Sequence, residues 1–159
     1  LVSSCFGGEK KGDFQFECDE CTGVRRVSVR KRPGVDAFLL RVAELFDVYF
    51  FTSALLEYAE PIVSQVLPGH PREKILDRLD CTLHRGALAK DLRKVSSDLA
   101  SVVLLDDNKN FFSFQPRNGI LVSSWDGDAA DNELLGRVLP LLEKCSRAGD
   151  VRAVISSSS

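Results

Sequence analysis

The sequence has no methionine, a single tryptophan and no long apolar run. A membrane-spanning helix needs about 18 or more consecutive apolar residues, so the sequence predicts no span in this segment. The first residues lack a basic stretch followed by an apolar one, and no signal peptide is predicted there. The formal net charge is −2, so the overall charge gives no reason to expect direct binding to nucleic acid or to a membrane surface.

The size and composition are typical of one globular domain. The chain has 159 residues, of which 44% are hydrophobic and 28% are charged, and this length is sufficient to bury a core. We expect the domain to cover residues 1–155 and the serines at 156–159 to form a disordered tail. A monomer is the default expectation.

The five cysteines are odd in number and scattered along the chain. This usage favours reduced thiols, and therefore an intracellular location, nuclear or cytoplasmic, over a disulfide framework. Cys18 and Cys21 form a CxxC pair, but a structural zinc site needs four ligands and the sequence has no second pair. The polar tip of a hairpin is the favoured interpretation of these two residues.

The stretch Val102–Asn108 combines a buried strand with an acidic end. Its first four residues are apolar β-formers, which is typical of a central strand in a parallel sheet. Asp106 and Asp107 follow directly, at the strand end where α/β sheets bind their ligands. Carboxylates of this kind hold Mg²⁺, usually together with substrate phosphate. A strand followed by an ordinary Asp/Asn-rich turn is the alternative.

Strands and helices alternate along the rest of the chain. Alternation of apolar and polar residues around Thr22–Gly23 predicts a β-hairpin from Phe14 to Val29. Alternating strands and helices predict an α/β fold, a doubly wound parallel sheet flanked by helices. Helices are predicted at 36–45, at 55–67 with Pro61 tolerable only near the first turn, at 71–79, and from Asp131 or Asn132 onward, and strands at 48–51, 81–83 and 119–122.

Polar groups of complementary kinds follow two of the predicted strands, and a lysine in a predicted loop lies between them in the sequence. Thr52 and Ser53 end one strand with hydroxyls that can hydrogen-bond phosphate oxygens. Lys90 can balance phosphate charge, and Asp106–Asp107 can hold a metal ion. Together these residue types are the usual set for phosphoryl transfer. Each one alone is weak evidence, because a lysine or hydroxyl at the surface is common.

Four stretches of the sequence carry a family resemblance. They read KRPGVDAFLLRVAELFDVYFFTSALLEYAEP, LDCTLHRGALAKDL, VVLLDDNKNFFSFQPRNGI and SSWDGDAADNELLGRVLPLLE. They resemble the haloacid-dehalogenase superfamily and, within it, the small carboxyl-terminal-domain phosphatases and their NLI-interacting-factor-like relatives. The resemblance covers almost the whole chain. It implies a doubly wound, Rossmann-like sheet with a small hairpin insert, and an Mg²⁺-dependent protein serine/threonine phosphatase whose partner is a phosphorylated protein or peptide.

The resemblance also implies roles for individual residues. Thr52 would bind the transferring phosphate, and Lys90 would steady the phosphate and the nucleophile. Asp106 would be a metal ligand, with Asp107 at a second position where some relatives carry Asn. Arg78 falls where many relatives have an arginine near the substrate phosphate, although the Glu that often follows it is a leucine here.

The predicted hairpin matches an insert that helps relatives to grip a peptide. Phe6 and Leu55 would lie near this insert and contribute to substrate binding. Ordinary packing is the alternative role for both side chains.

One part of the family pattern is missing. The nucleophile and general acid of the family are two aspartates in a DxDx(T/V) motif, and Leu1–Ser4 matches the residues just after it. We therefore expect the chain to be a segment of a longer polypeptide whose nucleophile lies upstream of Leu1, and an aspartyl-phosphate mechanism needs that carboxylate.

Three other readings compete with the phosphatase. A pseudophosphatase scaffold would bind phosphopeptides without turnover, and loss of the first motif aspartate would indicate it. A receiver domain is disfavoured because its acid pair precedes its Thr and Lys, whereas here the pair comes last. An enzyme acting on small phosphate esters is disfavoured because a hairpin insert leaves the site open, which suits a protein side chain better.

Overall fold

A computed structural model describes residues 1–6, 12–20 and 23–158. These residues form nine strands and four α-helices within the described ranges. The strands are β1 Val2–Phe6, β2 Phe14–Glu20, β3 Gly23–Lys31, β4 Phe50–Phe51, β5 Ile75–Leu76, β6 Thr82–His84, β7 Ala87–Ala89, β8 Leu104–Asp106 and β9 Gly119–Leu121. The helices are α1 Val35–Leu45, α2 Leu56–Val66, α3 Leu139–Cys145 and α4 Val151–Ser156. A π-helical segment, Leu134–Val138, leads directly into α3.

The first three strands form an antiparallel sheet in the order β1-β3-β2. The predicted hairpin is therefore present as β2 and β3, and its inner residues Val27 and Val29 are fully buried. They pack with Tyr58 and Ile62 of α2, which fixes this sheet to the helix that follows β4. Cys21 lies outside the described residues, and within the described ranges no group of three potential metal ligands occurs.

Two pairs of parallel strands make up the α/β part of the fold. β4 pairs with β5, and β8 pairs with β9. An apolar slot of about 240 Å³ is lined by residues from both β4 and β8. In the described part of the chain no strand lies between these two pairs. β4 ends at Phe51 and β8 ends at Asp106. Both positions are at or next to the polar residues that the sequence predicts to form the site.

Several predicted elements differ from the observed ones. The segment predicted as a helix at 71–79 forms two 3-10 turns, Arg72–Lys74 and Arg78–Asp80, with β5 between them. A strand of two residues is too short to show a periodicity. Pro61 lies inside α2 rather than in its first turn, because burial of Ala59, Val63 and Val66 offsets the lost backbone hydrogen bond.

The predicted tail begins inside an ordered element. Ser156 is the last residue of α4, and the hydroxyls of Ser157 and Ser158 donate to the carbonyl of Val154. Ser159 lies outside the described residues. In the described part of the chain, no helix is both long and apolar enough to span a membrane.

The main core lies between α1, α3, α4 and the parallel strands. Phe38 of α1 is 1% exposed and packs in this cluster with Val138 and Ile155. The helical spacing of apolar residues in α1 places Phe38 on the inner face and Leu40 on the outer one, where Leu40 is 63% exposed.

We expect Phe38→Ala to lower the free energy of unfolding by roughly 3–5 kcal/mol, because a large aromatic ring leaves a cavity behind. Leu40→Ala in the same helix is the matched control, and we expect it to stay within about 0.5 kcal/mol of the wild type. Urea unfolding followed by circular dichroism measures both. Equal losses in the two variants would contradict the position of the core.

Candidate active site

Lys90 and Asp106 form a buried ion pair. Lys90 follows β7 directly, Asp106 ends β8, and the Lys90 ammonium donates a hydrogen bond to Oδ2 of Asp106. The two side chains are 6% and 8% exposed. The ring of Phe111 lies 4.4 Å from the Lys90 Nζ, and the backbone N–H of Lys90 donates to the Phe111 carbonyl at 3.2 Å. The charge of each partner is therefore compensated away from water.

The two neighbouring carboxylates at the end of β8 differ in environment. Oδ1 of Asp106 accepts the backbone N–H of Asn108 at 2.9 Å. Asp107 is exposed, and its Oδ2 accepts a hydrogen bond from the Ser124 hydroxyl at 3.0 Å. Each carboxylate oxygen has two lone pairs, so these contacts leave acceptor capacity on both residues. Two adjacent carboxylates fit a hard divalent cation, which takes oxygen ligands.

The end of β4 supplies a hydroxyl to the same region. The backbone N–H of Thr52 donates to the Leu76 carbonyl at 2.9 Å, which continues the β4–β5 ladder by one residue. The Thr52 hydroxyl oxygen accepts the backbone N–H of Ala54 at 3.1 Å. Its proton can therefore be donated to an anion in the cavity.

Arg78 is attached to the segment that follows Thr52. Its Nε donates to the Ser53 carbonyl at 2.6 Å, and its backbone N–H donates to the Ala54 carbonyl at 2.9 Å. These bonds hold the 3-10 turn that carries Arg78 against residues 53–54.

Asp77 is a positioning residue that the sequence interpretation missed. Its carboxylate is buried and accepts the backbone N–H groups of Leu56, at the start of α2, and of Leu79. One side chain therefore fixes both the helix beside Thr52 and the turn that carries Arg78. The spacing of Asp77 and Asp80, whose side chain accepts the Asp77 N–H at 3.0 Å, is that of a capping box and could have indicated this role.

A cavity of about 350 Å³ brings together four of the predicted site residues. They are Thr52, Lys90, Asp106 and Asp107. Tyr58, Trp125 and Arg32, which the sequence interpretation did not single out for the site, also line it. Among the described residues, the lining does not include Ser53, Arg78, Phe6 or Leu55.

Phe6 and Leu55 lie outside the lining of the cavity, and each is 45% exposed. The Phe6 ring is 5.9 Å from the ring of Tyr58, which itself lines the cavity. The guanidinium of Arg25 lies 5.9 Å above Phe6. Phe6 therefore belongs to an aromatic group next to the cavity rather than to its interior.

The loop after Lys90 is held by a charged network. Hydrogen bonds from Arg93 and, secondarily, from Gln115 lower the pKa of Asp91 to about 2 from its ordinary 3.8. Gln115 is buried, donates to Asp91 Oδ1 at 2.9 Å and accepts the Leu92 N–H at 3.1 Å. While its carboxylate is ionised, Asp91 thus anchors the loop that directly follows Lys90.

We expect Asp91→Asn to destabilise the protein at neutral pH and progressively less in acid. The folded-state pKa is depressed, so the carboxylate contributes stability above its unfolded value of 3.8 and loses it as the pH falls toward about 2. Urea unfolding of both proteins between pH 7 and pH 3 measures the difference. Unfolding curves that stay equally far apart at every pH would contradict this expectation.

The two pairs of parallel strands, with polar residues gathered at the ends of β4 and β8, are those of an α/β domain. The structure resembles that of the fission yeast RNA polymerase II CTD phosphatase Fcp1 bound to beryllium fluoride, with a TM-score of 0.62 and 19% identity over 91% of this chain and 51% of that one. A second structure, of the phosphatase Fcp1, has the same TM-score at 21% identity and covers 41% of that chain. At these identities the likeness confirms the predicted fold.

The chain belongs to the family of NLI interacting factor-like phosphatases, whose model matches residues 1–152. It is 36% identical over 158 residues to a probable C-terminal domain small phosphatase of Dictyostelium discoideum, covering 99% of this chain and 51% of that protein. It is 37% identical over 155 residues to the human carboxy-terminal domain RNA polymerase II polypeptide A small phosphatase 1, covering 98% and 59%. The chain therefore spans about half the length of these relatives, and the resemblance inferred from the sequence is confirmed.

Proposed function

We propose that this chain is the catalytic domain of a protein serine/threonine phosphatase that depends on Mg²⁺ and works through an aspartyl-phosphate. The observation that carries this proposal is the shared cavity, in which Thr52 lies with the Lys90–Asp106 pair and Asp107. A hydroxyl donor, an ammonium and two carboxylates are the groups that bind a phosphate dianion together with a divalent cation.

Each residue has a role in this proposal. The Thr52 hydroxyl donates to a phosphate oxygen, and the Lys90 ammonium neutralises charge on the phosphate. Asp106 and Asp107 would hold Mg²⁺, which when bound supplies positive charge to the phosphate oxygens. Arg78 and Ser53 lie next to Thr52 and support binding of the substrate phosphate at the rim.

The nucleophile in this proposal is an aspartate on the amino-terminal side of Leu1. Leu1 lines both the cavity that contains Lys90 and Asp106 and the apolar slot between β4 and β8. A residue joined to Leu1 can therefore enter beside Asp106. Its carboxylate attacks phosphorus as the P–O bond to the serine breaks, and a second acid protonates the leaving oxygen. Water then attacks the acyl phosphate and releases inorganic phosphate, which restores the carboxylate.

A protein segment is the substrate that the surroundings of the cavity favour. Tyr58 and Trp125 line the cavity, and the exposed ring of Phe6 lies beside Tyr58. Leu55, exposed directly before α2, would extend this apolar surface. These side chains can bind residues adjacent to a phosphoserine. The relatives are named for the carboxy-terminal domain of RNA polymerase II, and a comparable phosphorylated segment is the substrate class proposed here.

Hydrolysis of p-nitrophenyl phosphate and of a phosphoserine peptide tests the function. We expect turnover by a polypeptide that includes the residues preceding Leu1, loss of turnover with EDTA, and recovery with Mg²⁺. Activity that survives chelation would contradict the mechanism. Tight peptide binding without turnover would instead indicate the pseudophosphatase scaffold, for which the same cavity would serve as a phosphopeptide site.

A further inference from the structure

Arg32 is the most highly connected buried charge near the cavity. The residue is 2% exposed and follows the last residue of β3. Its Nε and Nη2 donate to the two carboxylate oxygens of Asp131, both at 2.7 Å. Its Nη1 donates to the Ser123 carbonyl at 2.7 Å, and Nη2 also donates to the Ser123 hydroxyl at 2.9 Å. Four hydrogen bonds thus fix both ends of the segment 123–131.

The segment that Arg32 holds begins next to the acid pair. The backbone N–H of Val122 donates to the Asp106 carbonyl at 2.9 Å, so the chain leaves the sheet alongside the end of β8. Ser123 follows and is bound by Arg32. Ser124 is the next residue, and its hydroxyl donates to Asp107 at 3.0 Å. The path from the guanidinium to the second carboxylate therefore contains two hydrogen bonds, Arg32 to Ser123 and Ser124 to Asp107, and the peptide link between the two serines.

Three further contacts connect Arg32 and Arg30 to the surroundings of the cavity. The backbone N–H of Arg32 donates to the Leu1 carbonyl at 3.0 Å, so Leu1, which lines the cavity, is bonded directly to Arg32. Arg30, two residues earlier on β3, donates to the Asp126 carbonyl at 2.9 Å and lies 5.6 Å from the ring of Trp125. The end of β3 therefore holds the loop that carries Trp125 into the cavity wall.

The geometry points to Arg32 as a positioning residue for the carboxylate of Asp107 and hence for a divalent cation held by the acid pair. This inference rests on the proposed function. Groups that orient metal ligands from outside commonly change metal affinity or activity by about 10–100-fold when they are replaced. Arginine suits the role because its planar guanidinium donates hydrogen bonds to Asp131 and to Ser123 in a fixed relative geometry. The ammonium of a lysine is a point charge without this fixed geometry.

Mn²⁺ binding measured by isothermal titration calorimetry tests the inference without requiring turnover. We expect Arg32→Lys and Ser124→Ala each to weaken Mn²⁺ binding about 10-fold. Because both act on Asp107, the double variant should be scarcely weaker than either single one. Arg41→Lys is the matched control: Arg41 also bridges two elements, through Glu44 and Glu143, but does not line the cavity. We expect it to leave Mn²⁺ binding unchanged.

Thermal unfolding of the same variants separates positioning from folding. Arg32→Lys that lowers the Tm but leaves Mn²⁺ affinity unchanged would overturn the inference, as would strictly additive effects with Ser124→Ala. If Arg32→Lys does not fold, Ser123→Ala removes only one of the four hydrogen bonds, and unchanged Mn²⁺ affinity in Ser123→Ala and Ser124→Ala alike would overturn it equally. Wild-type protein that binds no Mn²⁺ would contradict the proposed function itself.

Discussion

Replacing Asp106 by asparagine is expected to lower kcat/KM for a phosphoserine peptide by about 10²–10³-fold, the range found when one preorganised electrostatic group is removed from a site. Asparagine has nearly the same shape, but its single oxygen can accept from only one of the two donors that bond the carboxylate, Lys90 and the Asn108 N–H. The buried ammonium also loses its counter-charge, so we expect some loss of stability, and circular dichroism first establishes that the variant is folded. The proposed metal ligand closest to Lys90 is lost with the charge.

Asp107→Asn is the informative comparison for that variant. Asp107 is exposed and accepts a hydrogen bond from the Ser124 hydroxyl. The oxygen of an asparagine amide can accept the same hydrogen bond. We expect a smaller loss of activity than for Asp106→Asn. Steady-state kinetics over a range of Mg²⁺ concentrations measures both variants. Equal activity of Asp106→Asn and wild type would rule out the assignment of Asp106, whatever the family of the chain.

Lys90→Met is expected to lower the free energy of unfolding by roughly 3–5 kcal/mol, because it leaves the carboxylate of Asp106 buried without its partner. The double variant Lys90→Met/Asp106→Leu should recover much of this loss, since two apolar side chains replace a buried ion pair at little net cost. Neither protein should hydrolyse phosphopeptides. Chemical unfolding in metal-free buffer gives the stabilities.

Lys74→Met is the control for that pair of variants. Lys74 bonds to Asp47, whose side chain is 64% exposed, so we expect a much smaller loss of stability than for Lys90→Met. A double variant at Lys90 and Asp106 that is as unstable as Lys90→Met would show that the pair is not the source of the loss.

The meeting of Thr52 and Asp106 could be predicted because each lies at the carboxyl end of a parallel strand. Such ends lie at one edge of an α/β fold, so residue type and position at a strand end are sufficient. Lys90 follows the antiparallel strand β7, and only the family resemblance indicated its place in the site. The roles of these residues in catalysis stay predictions. The fold class could be predicted for the same reason, from the alternation of strands and helices along the chain.

The supporting contacts could not be predicted in this way. Arg32 bonds to residues 91 and 99 positions away in the sequence, and nothing local distinguishes it from the exposed Arg25 and Arg26 of the preceding strand. Asp77 also acts on Leu56, 21 positions away. The hydrogen-bond partners of Arg32 and Asp77 depend on how the elements pack in three dimensions. The pattern of residue types along the sequence does not contain this information. The strand β5 was missed because two residues carry no alternation.

The buried carboxylate of Asp77 has a consequence for how variants near the site are interpreted. It accepts the backbone N–H groups of Leu56 and Leu79, so a substitution at this position disturbs the start of α2 and the turn that carries Arg78 together. A loss of activity in an Asp77 variant therefore reports a displaced backbone rather than a missing catalytic group.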